Sequence, residues 1–390
     1  MDDVVGLARS LIAAGSENPP GDEREVMRLA QRELAERRID EVRLHAVAPK
    51  RMNLVARIKG RGAGPVLALS GHLDTKPVGL LSAWRHDPFG GVVDDGLLYG
   101  LGAADMKGAV AAMIVALGRL QAAGGPPGGD VLLVLTADEE AGSVYGAQHL
   151  AQLGAVEADA MVIGEASGVE TEWECIGLAC RGALLFRVEV DGPGGHSSLG
   201  DRGGPDSALR VAVRIAERLD AAFRELPGCA VNVPAWIEGG EGIGYGVTAA
   251  RGALRGDVRL APGVRLADAE SILRRVVAES VNDALRAEIL IDELGHPGFE
   301  SVGVDESSPV AAACADACRL ALGREVPFGV FPGGTDAYFF DGMAAIPTVS
   351  ALGPGRLAEA HRPNEYVSVR GLGEAVDLYE ALVSRFAETA

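Results

Sequence analysis

Val66-Leu67-Ala68-Leu69-Ser70-Gly71-His72-Leu73-Asp74-Thr75 opens as a short apolar run and closes on a histidine and an aspartate two residues apart. A run of this kind reads as a strand buried on both faces, the form strands take in parallel sheets. Residues two apart on an extended segment share a face, so His72 and Asp74 are expected to point together. Three more stretches repeat the design. Val131-Leu132-Leu133-Val134-Leu135 leads into Thr136-Ala137-Asp138-Glu139-Glu140. Ala160-Met161-Val162-Ile163 leads into Gly164-Glu165-Ala166-Ser167. Ala345-Ile346-Pro347-Thr348-Val349 precedes Gly353-Pro354-Gly355 and then Ala360-His361-Arg362-Pro363. Pro347 is the weak point of that last strand, because proline cannot donate to a sheet ladder. An apolar helix is expected over 106–122, between the first two strands. The alternation predicts an α/β domain with a mixed, largely parallel sheet.

A chain of 390 residues exceeds what one hydrophobic core usually spans, so a second domain is expected. The texture changes between residues 181 and 293. Strands are expected at 183–190, 229–238, 246–260 and 287–292, with amphipathic helices at 206–223 and 266–280. That β-α-β-β-α-β order is the ferredoxin-like split unit. It predicts an α+β domain of residues 181–293 inserted into a larger domain made of 1–180 and 294–390. Near the start, helical periodicity over 3–36 is broken by Asn18-Pro19-Pro20-Gly21.

Acidic residues outnumber basic ones by 55 to 36, a formal charge of −19. A phosphate backbone would repel such a chain, which argues against a nucleic-acid partner. No apolar run is long enough for a membrane span, so no membrane partner is expected. Met1-Asp2-Asp3-Val4 is acidic where a secretory signal needs basic residues. The five cysteines are odd in number and form no disulfide framework. A reducing cytoplasm is the expected setting.

Ligands of open α/β sheets gather beyond the carboxyl ends of the strands. His72, Asp74, Glu139, Glu140, Glu165 and His361 are therefore expected in one crevice. Asp105 joins them, at the start of the apolar helix in Gly100-Leu101-Gly102-Ala103-Ala104-Asp105-Met106-Lys107-Gly108. A dinucleotide loop is the common misreading of such a glycine pattern, but Asp105 stands where its third glycine belongs. Crowded carboxylates repel one another or take up protons unless a cation joins them. Imidazole and carboxylate donors suit zinc, and also cobalt or manganese. Five ligands with one carboxylate shared fit two ions, which in such sites stand about 3.5–4 Å apart. Glu139 and Glu140, adjacent in a turn, can divide the work, one binding metal and the other handling protons. His45, His86, His149 and His296 lie outside these motifs and read as surface or structural residues.

Taken together and in order, the motifs resemble the dinuclear zinc deacylase and exopeptidase family. It includes acetylornithine deacetylase, succinyl-diaminopimelate desuccinylase, aminoacylase and bacterial glutamate carboxypeptidase. The likeness runs from Asn18-Pro19-Pro20-Gly21 to His361-Arg362-Pro363-Asn364-Glu365. It implies a zinc-exopeptidase-like catalytic domain and a lid that also dimerises the chain. It implies two Zn2+ ions bridged by Asp105, one completed by His72 and Glu165, the other by Glu140 and His361. Asp74 would orient His72 from behind. Glu139 would be the general base that takes a proton from a metal-bridging water and hands it to the leaving amine. In the lid, Gly192-Pro193-Gly194-Gly195-His196-Ser197-Ser198 resembles a loop whose histidine stabilises the oxyanion in the partner subunit's site. Arg259 in Asp257-Val258-Arg259 would hold a substrate carboxylate. Gly333, Gly334 and Thr335 match a substrate-binding loop whose N–H groups can meet an anion.

One departure stands out. The family carries an asparagine before the Arg259 strand, and Gly244-Tyr245-Gly246-Val247-Thr248-Ala249 has none. The expected function is amide hydrolysis of a small N-acyl amino acid or peptide. Two other readings stay open: a di- or aminopeptidase of the same family, and a non-hydrolytic acyl-transfer or metal-binding variant.

Overall fold

A computed structural model describes residues 2–202, 206–240, 245–291 and 296–389. The chain divides into two compact units. The first comprises Met1–Cys180, Val302–Phe331 and Thr335–Ala390; the second comprises Arg181–Ser301 and Pro332–Gly334.

The first unit is built on a six-stranded sheet. In spatial order its strands are Val42–Ala48, Arg51–Ile58, Val131–Thr136, Leu67–His72, Ala160–Ile163 and Thr348–Val349. The first two pairings are antiparallel, and the last three are parallel. The strands read from apolar runs, Leu67–His72, Val131–Thr136 and Ala160–Ile163, are buried along their whole length. Their register aligns their ends. His72 lies opposite Thr136, and Ser70 opposite Ile163, so the chain leaves all three central strands at one end of the sheet. The helix Gly108–Ala122 is buried on nearly every side, as its apolar sequence requires. Its sides are covered in part by the helices Asp2–Ala13 and Val369–Ala387.

Three local expectations are revised. The apolar helix begins at Gly108, not Met106, because Asp105 and Met106 leave helical φ/ψ and form a separate turn. The strand expected at 345–349 shrinks to Thr348–Val349: Ala345 has a φ of 56° and ends the preceding turn, and Pro347 cannot donate. The pair Val42–Ala48 and Arg51–Ile58 adds to the expected strands. Arg43, His45, Arg51, Asn53 and Arg57 interrupt its apolar residues, as suits an edge with one solvated strand.

The second unit holds a four-stranded antiparallel sheet, in the order Ala230–Gly239, Arg251–Leu260, Gly182–Asp191, Arg286–Leu290. Gly182–Asp191 alternates buried and half-buried positions through most of its length, and the helices Ala208–Arg224 and Leu266–Ala278 bury their apolar stripes with it. The strand expected at 246–260 is two strands. Val247–Thr248 pairs with Gly195–His196, and Arg251–Leu260 enters the main sheet. The expected strand end at Asp292 and the expected junction between 293 and 294 lie outside the described residues. Phe299 exchanges two backbone hydrogen bonds with Ala183, at 2.8 and 2.9 Å, which ties residues up to Ser301 to this unit.

Close backbone approach matters most at Gly353, on the short strand Gly353–Arg356 beside Ala166. A Cβ there would stand 2.0 Å from the Gly164 carbonyl oxygen and 2.9 Å from that of Glu165. Both are backbone atoms and cannot swing aside. Gly353→Ala should destabilise the fold by about 1–3 kcal/mol, as overpacking does. It should also displace Glu165. Thermal unfolding and bound-metal content measure the two effects, and an unchanged melting temperature would refute the account.

Candidate metal centre

Three strand ends, the turn before Gly108 and the loop after Leu357–Glu359 bring His72, Asp105, Glu139, Glu140, Glu165 and His361 together. Leu67–His72 ends in His72, buried to 1 % exposure. Its Nε2 lies 3.0 Å from Asp105 Oδ1, 3.5 Å from Glu165 Oε1 and 3.9 Å from Glu139 Oε2. His361 Nε2 lies 3.1 Å from the other Asp105 oxygen, Oδ2, and 3.1 Å from Glu140 Oε2. Asp105 thus presents one oxygen to each imidazole. Ligand atoms of His72, Glu139 and Glu165 all fall within 4.8 Å of one another, as do those of Asp105, Glu140 and His361. Each group can hold a metal ion.

The turn carrying the glutamates is held from beneath. Asp138 adopts left-handed backbone, with a φ of 67°, and starts the short helix Glu139–Ala141. The buried Asp74 carboxylate accepts the N–H of Glu139 at 3.2 Å and that of Glu140 at 3.1 Å. It also accepts Asn18 Nδ2 at 2.9 Å. His72 Nδ1 pairs at 3.0 Å with the backbone carbonyl of Asp74, while the Asp74 carboxylate is 3.6 Å away. The carboxylate is thus spent chiefly on the glutamate turn.

Several supports carry no assignment from the sequence. Glu365 accepts N–H groups from Gly102, Ala104 and Asp105 at 2.9–3.0 Å, so it anchors the loop that presents Asp105. Asp336 accepts the hydroxyls of Thr136 at 2.7 Å and Ser143 at 2.6 Å. Asn18 bridges Asp74 and Asp138, and Arg51 reaches Asn18, Asp138 and the buried Glu23. Glu365 and Asn18 stand inside recognised motifs, and Asp336 directly follows Thr335. Nothing in one sequence separates an acid facing amides from an acid facing a crevice.

The remaining expected residues divide between the two units. Thr335 is buried in the first unit, and its hydroxyl accepts the Ala337 N–H. Gly333, Gly334, His196 and Arg259 belong to the second unit. His196 is exposed, with Nδ1 2.8 Å from Ser198 Oγ. Arg259 Nε is 3.3 Å from Asp257, which also accepts Asn232 at 2.8 Å. Tyr245, in the stretch lacking the asparagine, is fully exposed; Gly244 lies outside the described residues.

Electrostatics match the crowding. Burial pushes Glu165 up to about 7, aided by Asp105. Burial also lifts Glu139 well above the carboxylate range, with Glu165 and Glu140 adding repulsion. Burial works against the imidazolium of His361, yet Asp105 and Glu140 lift it to about 10. Burial likewise opposes charge on His72, and Asp105 and Glu165 still raise it well above its ordinary value. Asp105, despite its burial, is held well below the carboxylate range by His361 and His72. The donors are imidazole and carboxylate only, a set that fits a borderline divalent ion such as zinc, cobalt or manganese.

The family model for Peptidase family M20/M25/M40 matches residues 68–385. The chain belongs to this family. It is a metallohydrolase of the dinuclear peptidase and amidohydrolase kind. It is 32% identical over 392 residues to a succinyl-diaminopimelate desuccinylase of Xanthomonas campestris, covering 98% of both chains. Another, from Afipia carboxidovorans, is 40% identical over 183 residues, 45% of this chain and 47% of that one. Among solved structures, an M20 family metallo-carboxypeptidase from Sulfolobus solfataricus matches with a TM-score of 0.79 at 18% identity, covering 100% of each chain. A tripeptidase from Staphylococcus aureus matches at 0.80 and 19%, covering 99% and 98%. These likenesses fix the α/β architecture with its inserted antiparallel sheet. No described helix is long and apolar enough to cross a membrane.

Metal uptake must displace protons from His72 and His361, whose basicity is raised in the ion-free site. Raised imidazole and carboxyl values both favour the ion-free fold at low pH, and that advantage fades as pH rises. Zinc affinity, and the gain in melting temperature on adding zinc, should therefore grow from pH 5.5 to pH 8 (about those limits). Calorimetry in buffers of different ionisation enthalpy should register proton release. A pH-independent gain would contradict this assignment.

Proposed function

We propose that the chain is a deacylase of small N-acyl amino acids, cleaving the amide next to a carboxylate, with two zinc ions in the first unit. The observation that carries the reading is Asp105, whose two oxygens face two imidazoles, each flanked by a glutamate. Such an arrangement suits a carboxylate shared by two ions, with His72 and Glu165 on one and Glu140 and His361 on the other. When bound, the ions supply Lewis-acid polarisation of the scissile carbonyl and lower the pKa of water.

The chain's own residues supply the rest. Glu139 belongs to the first group of candidate ligands and is the acid that this reading leaves free of metal. Its burial among acids raises its proton affinity, which suits a group that takes a proton from water and returns it to the leaving nitrogen. Asp74, by accepting the N–H groups of Glu139 and Glu140, keeps base and ligand in one rigid turn. In the second unit, His196 is the proposed oxyanion donor, acting across a homodimer. Arg259 is the proposed carboxylate clamp, with Gly333, Gly334 and Thr335 in the substrate loop. The curated relatives carrying the name succinyl-diaminopimelate desuccinylase support an acyl-amino-acid substrate over a free dipeptide.

Glu139→Gln should abolish turnover and leave bound zinc near the wild-type amount; loss of both ions would reassign Glu139 as a ligand. His196→Ala should lower turnover by roughly two to three orders of magnitude, as removal of one oxyanion donor does. An unchanged rate removes the lid from the chemistry. A screen of N-acetyl, N-succinyl and N-formyl amino acids against free dipeptides tests the substrate class. Faster cleavage of the dipeptides would overturn the deacylase reading in favour of a peptidase.

A further inference from the structure

The two groups of candidate ligands differ in one respect. Among the described residues, no lysine or arginine forms an ion pair with Glu139, Glu165 or Asp105. Glu140 has one. Lys76 follows Asp74 by two residues and wraps the Glu140 carboxylate: its backbone N–H lies 3.2 Å from Oε1, and its ammonium 3.1 Å from Oε2. The same ammonium donates to the Glu140 backbone carbonyl. The His361 imidazole approaches both Glu140 oxygens as well, at 3.2 and 3.1 Å. Any ion that takes Glu140 as a ligand therefore meets an oxygen already facing a lysine ammonium.

We propose that Lys76 makes the two half-sites unequal, so that the Asp105–Glu140–His361 half binds its ion more weakly than the His72–Glu165 half. The ammonium neutralises Glu140 in advance and repels an incoming dication; its direct contacts are all with Glu140, and it reaches Glu139 and Asp105 only through longer-range attraction, so the other half feels it more weakly. The Lys76 side chain is 37% exposed, so it can turn toward water when the ion arrives. The penalty is thus finite, and occupancy of this half becomes sensitive to the metal supply. The inference rests on the reading that both groups hold metal.

The test is a zinc titration of the ion-free protein against a chromophoric chelator, with elemental analysis of the stoichiometry. Wild type should bind two ions per chain with separated affinities. His361→Ala should remove the weaker ion. Lys76→Met should tighten the weaker ion by about ten- to a hundredfold, the scale of one nearby charge in a partly solvated site. It should leave the tighter ion within about threefold. Lys76→Gln serves the same purpose if the methionine variant does not fold, and Lys76→Arg, which keeps the charge, should behave as wild type. If neutral variants leave the weaker affinity unchanged or lower it, or if His361→Ala removes the tighter ion, the inference falls while the two-metal reading stands. A wild-type chain that never holds two ions would overturn both.

Discussion

Carboxylates packed out of water need positive charge, and this constraint organises the first unit. Asp105, Glu139, Glu140 and Glu165 converge with their oxygens toward two imidazoles and one another. Burial alone raises the energy of each ionised acid, and proximity raises it further. The raised basicity of His72 and His361 answers this need, with the Lys76 ammonium on one flank. A dication replaces the imidazole protons and lets several acids ionise together. Affinity for metal is thus stored as electrostatic frustration in the ion-free fold.

That frustration persists only because the backbone beneath is over-determined. Parallel register sets the ends of three buried strands at one level. Asp74 then ties two consecutive glutamate amides, and Glu365 ties three amides of the Gly102–Asp105 loop. Hydrogen bonds from amides to a carboxylate are strong and directional. They prevent the turns from relaxing outward, which would otherwise relieve the repulsion among the acids they carry. Stability invested in the second layer holds the first layer in an unfavourable arrangement, as functional sites commonly require.

Most of this plan was legible in the sequence, and the losses have physical causes. Apolar runs of Val, Leu and Ala revealed the three buried strands because burial on both faces favours apolar residues at nearly every position. The same argument fails at Arg51–Ile58, where Arg51 and Asn53 serve the network behind the site and Arg57 pairs with Asp130. It also fails at Thr348–Val349, where two residues are too few to show any period. The inserted unit was legible from alternation, since each strand has one covered face. The candidate ligands were legible as strand-end acids and histidines. The work of Asp74 was less so: spacing put it on the face of His72, while its oxygens chiefly serve the turn sixty-five residues on.

Apart from Glu23 and Asp138, which pair with Arg51, the acids around the candidate centre fall into two classes, and the difference explains which of them metal can claim. Asp74, Asp336 and Glu365 spend their oxygens on N–H and hydroxyl donors supplied by the protein. Their lone pairs are occupied, so a cation has little to gain there. Asp105, Glu139 and Glu165 turn theirs toward imidazoles or other acids. Among the described residues, the positive charge these acids face comes from the imidazoles and not from a lysine or arginine ion pair. Glu140 stands between the classes, facing His361 on one side and Lys76 on the other. A single lysine two residues beyond Asp74 therefore moves one ligand part of the way from the unsatisfied class to the satisfied one. The symmetry suggested by Asp105 and its two imidazoles is broken there.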